Sequence, residues 1–98
     1  MRFKVNNWQV SQLFLSDTGV HEVEIEHDSS KLRCNCEGFG RRGSCKHSRF
    51  VKERMDRNGG VYATHISTRA PVEEANLAVS SPEAFRKLLI NYGKIEVV

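Results

Sequence analysis

The 98-residue sequence predicts an α+β fold in which a small antiparallel sheet carries a ββα finger and is followed by a C-terminal helix and strand. Three observations carry that expectation. Apolar and charged residues alternate in two runs over residues 20–36, joined by turn residues. Helical spacing of apolar residues recurs over 45–57 and 85–92. All three cysteines fall within positions 34–45, with a histidine at 47. A chain of this length supports one domain, here 1–98, and buries only about two-thirds of its unfolded surface, so its core is marginal and a staple would help.

Taken in order, Phe3 and Val5, then Trp8 and Val10, alternate, with turn signals at Asn6, Asn7 and again at Asp17, Thr18 and Gly19. This reads as one or two strands extending the sheet, with a short helix over 8–15 as the alternative, and Trp8 is expected in the core. Residues 20–27 put Val23 and Ile25 on one face and Glu22, Glu24 and Glu26 on the other. After the turn residues Asp28, Ser29 and Ser30, residues 31–36 place Leu32, Cys34 and Cys36 on one side. Joining the apolar faces sets Ile25 opposite Leu32, Val23 opposite Cys34, Glu24 opposite Arg33 and Glu26 opposite Lys31. A slip of one residue would bury the glutamates.

Residues 37–43 hold three glycines and read as a tight return loop. Ser44 is the expected N-cap of a helix over 45–57, stopped by Asn58 and Gly59, with Val51, Met55 and Phe50 packing on the hairpin. Beyond Gly60 the pattern reads strand (61–67), a break at Arg69, Ala70 and Pro71, helix, strand. Ser80 and Glu83 match a capping box, Phe85, Leu88, Leu89 and Tyr92 share a helix face, and Gly93 is the expected C-cap. Residues 94–98 alternate with Ile95 and Val97 inward. Residues 60–98 thus form a strand–helix–strand extension.

The odd cysteine count excludes a complete intramolecular disulfide set. Cys34, Cys36, Cys45 and His47 instead supply three thiolates and an imidazole, the donors that close tetrahedrally round one structural zinc ion. Buried thiols beside an incidental histidine would leave the clustering unexplained, and redox catalysis favours Cys-X-X-Cys where this chain has Cys-X-Cys. His21, opposite Cys36 in the same register, is an alternative to His47, whereas His27 and His65 are expected on the surface or in a strand. Phe39 reads as a lid over the metal or as an exposed contact residue.

The pattern C-x-C-x8-C-x-H resembles the SWIM zinc finger, together with Val23, Glu24 and Ile25 before it, Phe39 within it, and Cys45, Lys46 and His47 opening a helix that continues through Phe50 and Val51. The resemblance covers residues 20–57. It implies a β-hairpin bearing the first cysteine pair, a helix opened by the second, and either DNA binding or protein interaction. A free-standing finger of this size looks most like the small bacterial or phage proteins of that family, which would place it in the host cytoplasm.

Four protein ligands leave no open position for a zinc-bound water, and no Ser-His-Asp order or phosphate-cradling glycine motif occurs, so no enzyme and no small-molecule substrate are expected. Met1, Arg2, Phe3 and Lys4 lead into Val5, Asn6 and Asn7 rather than an apolar h-region, and no apolar run approaches the ~20 residues of a membrane span. A reducing, cytoplasmic location is expected.

Residues 31–57 carry nine basic and three acidic side chains, a balance of +6 set against −3 elsewhere. With zinc and three thiolates the finger stays near +5. Arg41, Arg42, Lys46, Arg49, Lys52 and Arg57 are the candidate contacts to a phosphate backbone. The competing account is a solvated helix face with pairs such as Arg49–Glu53 and Lys52–Asp56. No Asn or Gln precedes Asn58 on the helix, so any nucleic-acid binding is expected to show low sequence specificity and steep salt dependence. The alternative partner is a protein, met through the Trp8-containing sheet or the C-terminal helix and strand.

Overall fold

In the computed structural model, which describes residues 8–98, the alternating segments build one sheet. Its strands are β1 (Trp8–Ser16), β2 (Gly19–Glu26), β3 (Leu32–Cys34) and β4 (Ile95–Val97), in the order β3-β2-β1-β4. The alternation of Phe3 with Val5 and the turn at Asn6 and Asn7 lie outside the described residues. The alternative helix over 8–15 does not form: that segment is β1. The β2–β3 register is the expected one, with Val23 opposite Cys34, Glu24 opposite Arg33 and Ile25 opposite Leu32. The hairpin closes with the Glu26 N–H donating to the Lys31 carbonyl at 2.8 Å.

Strands β1 to β3 are antiparallel, while β4 joins β1 in parallel, Leu13 facing Ile95 and Leu15 facing Val97. A parallel neighbour needs a crossover, which the C-terminal helices provide. Successive side chains of β1 serve opposite faces. Phe14 packs with Val23, Val51 and Met55 on one side; Leu13 and Val10 pack with Leu89 on the other. Between Val10 and Gln12 a register shift lets both of these β1 faces stay filled.

The first face carries α1 (Glu37–Arg42) and α2 (Lys46–Arg57), and the second carries α4 (Pro82–Tyr92), with α3 (Val72–Ser80) packed on α4. Val51 and Met55 are buried as their spacing requires. The glutamate face of β2 is therefore partly covered: Arg86 of α4 forks onto the Glu22 carboxylate. Arg33 lies over the Trp8 ring at 4.1 Å. Trp8 is half-buried at the end of β1, outside both core clusters, rather than in the core.

Four local expectations are corrected. The glycine-rich return at 37–43 closes a six-residue helix, α1, ended by Gly43 in the left-handed region (φ 75°). Residues 61–67 make no ladder; only Ile66 bridges Gly93, and the extended segment is tied to β1 by side chains, Thr64 Oγ1 donating to the Ser11 carbonyl and Tyr62 Oη to Gln12 Oε1. Helix α4 starts one residue later than expected, with Ser81 accepting from the Ala84 N–H, because Ser80 ends the additional helix α3. Ile95 and Val97 are exposed, while Glu96 between them turns towards Arg54 and Lys94. Gly93 does follow α4, but in extended conformation. Among the described residues no helix is long and apolar enough to cross a membrane.

Candidate metal centre

Hairpin and helix converge on the cysteines. The β2–β3 pairing directs Cys34 to the core side opposite Val23, and Cys36 then leaves the sheet as the N-cap residue of α1. Gly43 turns the chain back, so that Cys45 becomes the N-cap of α2 and His47 lies in its first turn. The expected cap, Ser44, is displaced by one residue. Cys45 Sγ accepts the Ser48 N–H at 3.3 Å, and the Ser48 hydroxyl accepts the Cys45 N–H at 3.0 Å. This reciprocal cap satisfies two helix-end donors and fixes a thiol at the same time.

One donor atom from each of Cys34, Cys36, Cys45 and His47 lies within 4.8 Å of the others. His47 Nδ1 is 3.7 Å from Cys34 Sγ and 3.8 Å from Cys45 Sγ. The S···N and S···S edges of a tetrahedral thiolate–imidazole centre are about 3.5 and 3.8 Å, so the four side chains fit one metal ion with little adjustment. Nδ1 is the nitrogen that faces the thiols. Nε2 is buried and without a hydrogen-bond partner, its ring held between Phe14 (centroids 4.8 Å apart) and His21 (5.2 Å).

His21 thus lies beside the cluster but outside the ligand set. Its Nε2 is engaged with Thr18 Oγ1 at 2.9 Å, and Cys36 has left the ladder where His21 would have faced it. His27 and His65 are exposed, as expected.

The protonation chemistry matches the geometry. Burial drives the Cys34 thiol up to about 12, with the neighbouring cysteines adding to the rise against a backbone hydrogen bond that opposes it. Burial also pushes Cys45 up, but its bonds from the Ser48 N–H and hydroxyl, then from Cys36 and Cys34, outweigh it and leave that thiol below its ordinary value. Burial, then the nearby His21 and Lys46, lower His47 and keep its imidazole neutral, the form a metal requires. A bound cation supplies the counter-charge that would hold Cys34 as a thiolate in this setting. Phe39 is half-buried against the same core cluster that holds Cys34 and Cys45, and it also lines an open cleft.

The six candidate contact residues divide into two groups. Arg41, Lys52 and Arg57 are taken up by Glu37 (3.3 Å), Asp56 (3.5 Å) and Glu53 (3.9 Å) on their own helices. Arg42, Lys46 and Arg49 make no ion pair with the described residues, and all three line one cleft of about 460 Å³ beside Cys36, Cys45 and His47. The expected Arg49–Glu53 pair does not form, because Glu53 turns to Arg57 instead. Lys31 is a further exposed cation without an ion pair among the described residues, at the hairpin end. Nothing in the residue pattern singles it out, because the register sets Glu26 opposite it as the expected partner.

Comparisons with protein-family models, with curated proteins and with solved structures find no match for this chain.

Proposed function

We propose that the protein is a zinc-stabilised, non-catalytic binding module that contacts nucleic acid through the basic face of α2 and the end of α1, with low sequence specificity. The observation that carries this reading is the division of the cations. Three of the six have no carboxylate partner among the described residues and converge on a single cleft at the metal centre. A merely solvated helix face pairs its charges locally, as Arg41, Lys52 and Arg57 do. Unpaired cations in a shared concavity favour a phosphate backbone.

Zinc is the metal that suits three thiolates and an imidazole in a closed tetrahedral set. The likeness of the ligand spacing to SWIM fingers supports the same assignment. Native mass spectrometry should find one zinc per chain, lost in Cys36→Ser. Binding of labelled oligonucleotides, titrated against salt, should weaken steeply as salt rises and should fall on charge reversal of Arg42, Lys46 and Arg49 together. Undetectable binding by the zinc-loaded protein at low salt would sink the proposal.

A second reading, a protein adaptor, is favoured by one observation. Val20, Leu15 and Val97 face one another across β2, β1 and β4, and all are exposed, by 52%, 48% and 75%. Such a row fits an apolar partner surface. Under that reading the triple charge reversal leaves partner binding intact, which separates the two.

A further inference from the structure

Arg49 belongs to two clefts. On one side lies the cleft it shares with Arg42 and Lys46, which is lined too by Asp17 and by Glu37, the partner of Arg41. On the other lies a cleft of about 510 Å³ between the β2–β3 turn, the end of α1 and the flank of α2. The second differs in chemistry. Its apolar lining is Leu32, Phe39 and Met55, and it is also lined by Lys31, Arg49 and the paired Lys52 and Asp56. Its volume falls in the ~300–1,000 Å³ range of small-ligand clefts. Phe39 rests on the metal-side core and lines the opening, so an aromatic surface is held in place at its base.

A duplex keeps its bases stacked and paired, and offers the helix face phosphates and groove edges alone. It has nothing to place in an apolar, aromatic-floored recess flanked by cations. A single strand has: an unstacked base seats on an aromatic ring while the phosphates on either side of it meet basic side chains. We infer that this face binds single-stranded nucleic acid, one base entering the cleft floored by Phe39 between Lys31 and Arg49, and the backbone running on past Arg49 to Lys46 and Arg42. This rests on the nucleic-acid reading above and adds to it the form of the strand and the seat of a base.

The test uses the full-length, zinc-loaded protein and fluorescently labelled oligo-dT, oligo-rU and a duplex of the same length, measured by anisotropy at low salt. Single strands of either sugar should bind more tightly than the duplex. Four phosphate contacts correspond to a slope of about −3 in log K against log salt. Phe39→Ala should weaken single-strand binding by roughly tenfold or more, the loss expected when a base–aromatic stack is removed, and leave duplex binding unchanged. Because Phe39 also supports the core, two further measurements accompany it. Lys31→Glu alters an exposed rim residue and should weaken single-strand binding more than duplex binding. Photo-crosslinking of the unmutated protein with 5-iodouracil oligonucleotides should label the peptide containing Phe39. Equal affinity for both forms, with crosslinks confined to other peptides, overturns this inference and leaves general nucleic-acid binding standing. No binding to either form removes both.

Discussion

Gln12 is 2% exposed, yet both ends of its side chain are satisfied. Its Nε2 donates to the carbonyls of Lys94 (2.6 Å) and Leu13 (3.0 Å), and its Oε1 accepts the Tyr62 hydroxyl at 2.6 Å. One amide therefore ties β1 to the extended 61–66 segment and to the residue entering β4. Burial, with Glu96 adding to it and Arg54 opposing it, raises the Tyr62 hydroxyl above its ordinary value. The neutral, donating form is thus favoured in the folded state. A folded value above the unfolded one means that this stabilisation is whole below the unfolded value of about 10 and is lost as pH climbs past it. Tyr62→Phe keeps the ring but strands the Gln12 oxygen, at a cost of about 1–3 kcal/mol at neutral pH. Urea unfolding of the metal-loaded protein at pH 7, 9 and 10.5 should show that deficit shrinking as pH rises. A deficit equal at all three values would mean that folding does not raise the Tyr62 hydroxyl above its unfolded value.

At the scale of elements, the hairpin was legible down to its register. A two-residue period with glutamates on one face and Val23, Ile25, Leu32 and Cys34 on the other admits one alignment. Helix α2 was legible for the same reason, at the 3.6-residue period, and the cysteine spacing marked the four ligand positions that the fold brings together. What escaped lacks periodicity. Helix α1 is too short to show a repeat and runs through two glycines, and α3 buries only Ala78, so its apolar residues trace no stripe. The segment at 61–66 alternates as a strand does, but its half-buried Tyr62 and Thr64 are anchored by their hydroxyl groups and not by a ladder. Which cations were free was equally hidden, because i,i+4 spacing permits both Arg49–Glu53 and Glu53–Arg57, and geometry selects the second.

The cap that joins α2 to the ligand set makes the next expectation. In Ser48→Ala the Cys45 N–H loses its acceptor, while the Ser48-position N–H can still donate to Cys45 Sγ. Loss of such a cap costs about 1 kcal/mol of stability. Because the same contact orients a ligand, metal affinity should also fall, by roughly 10–100-fold. Competition against a chromophoric zinc chelator measures the second effect and thermal unfolding the first. Lower stability with unchanged affinity would show that Ser48 supports the helix alone.

For the whole molecule, the sheet is shared between two unequal cores. The side of the Cys/His cluster holds six buried residues, two of them the candidate ligands Cys34 and Cys45, whereas the core cluster on the far side holds Val10, Leu13 and Leu89. Both draw on β1, whose Phe14 and Leu13 point in opposite directions. If the cluster holds an ion, as proposed, its removal would leave three thiols and a histidine gathered without a cation beside the larger core. The smaller one gathers three buried residues to hold α4, and α3 through α4, against β1. Chelation should therefore unfold both layers together. Hydrogen exchange during titration with a zinc chelator tests this: the amides of Val51 in α2 and Leu89 in α4 should lose protection at the same chelator concentration. Protection that persists at Leu89 after Val51 has exchanged would show that the C-terminal layer holds the sheet without the metal, and that the ion staples only the finger.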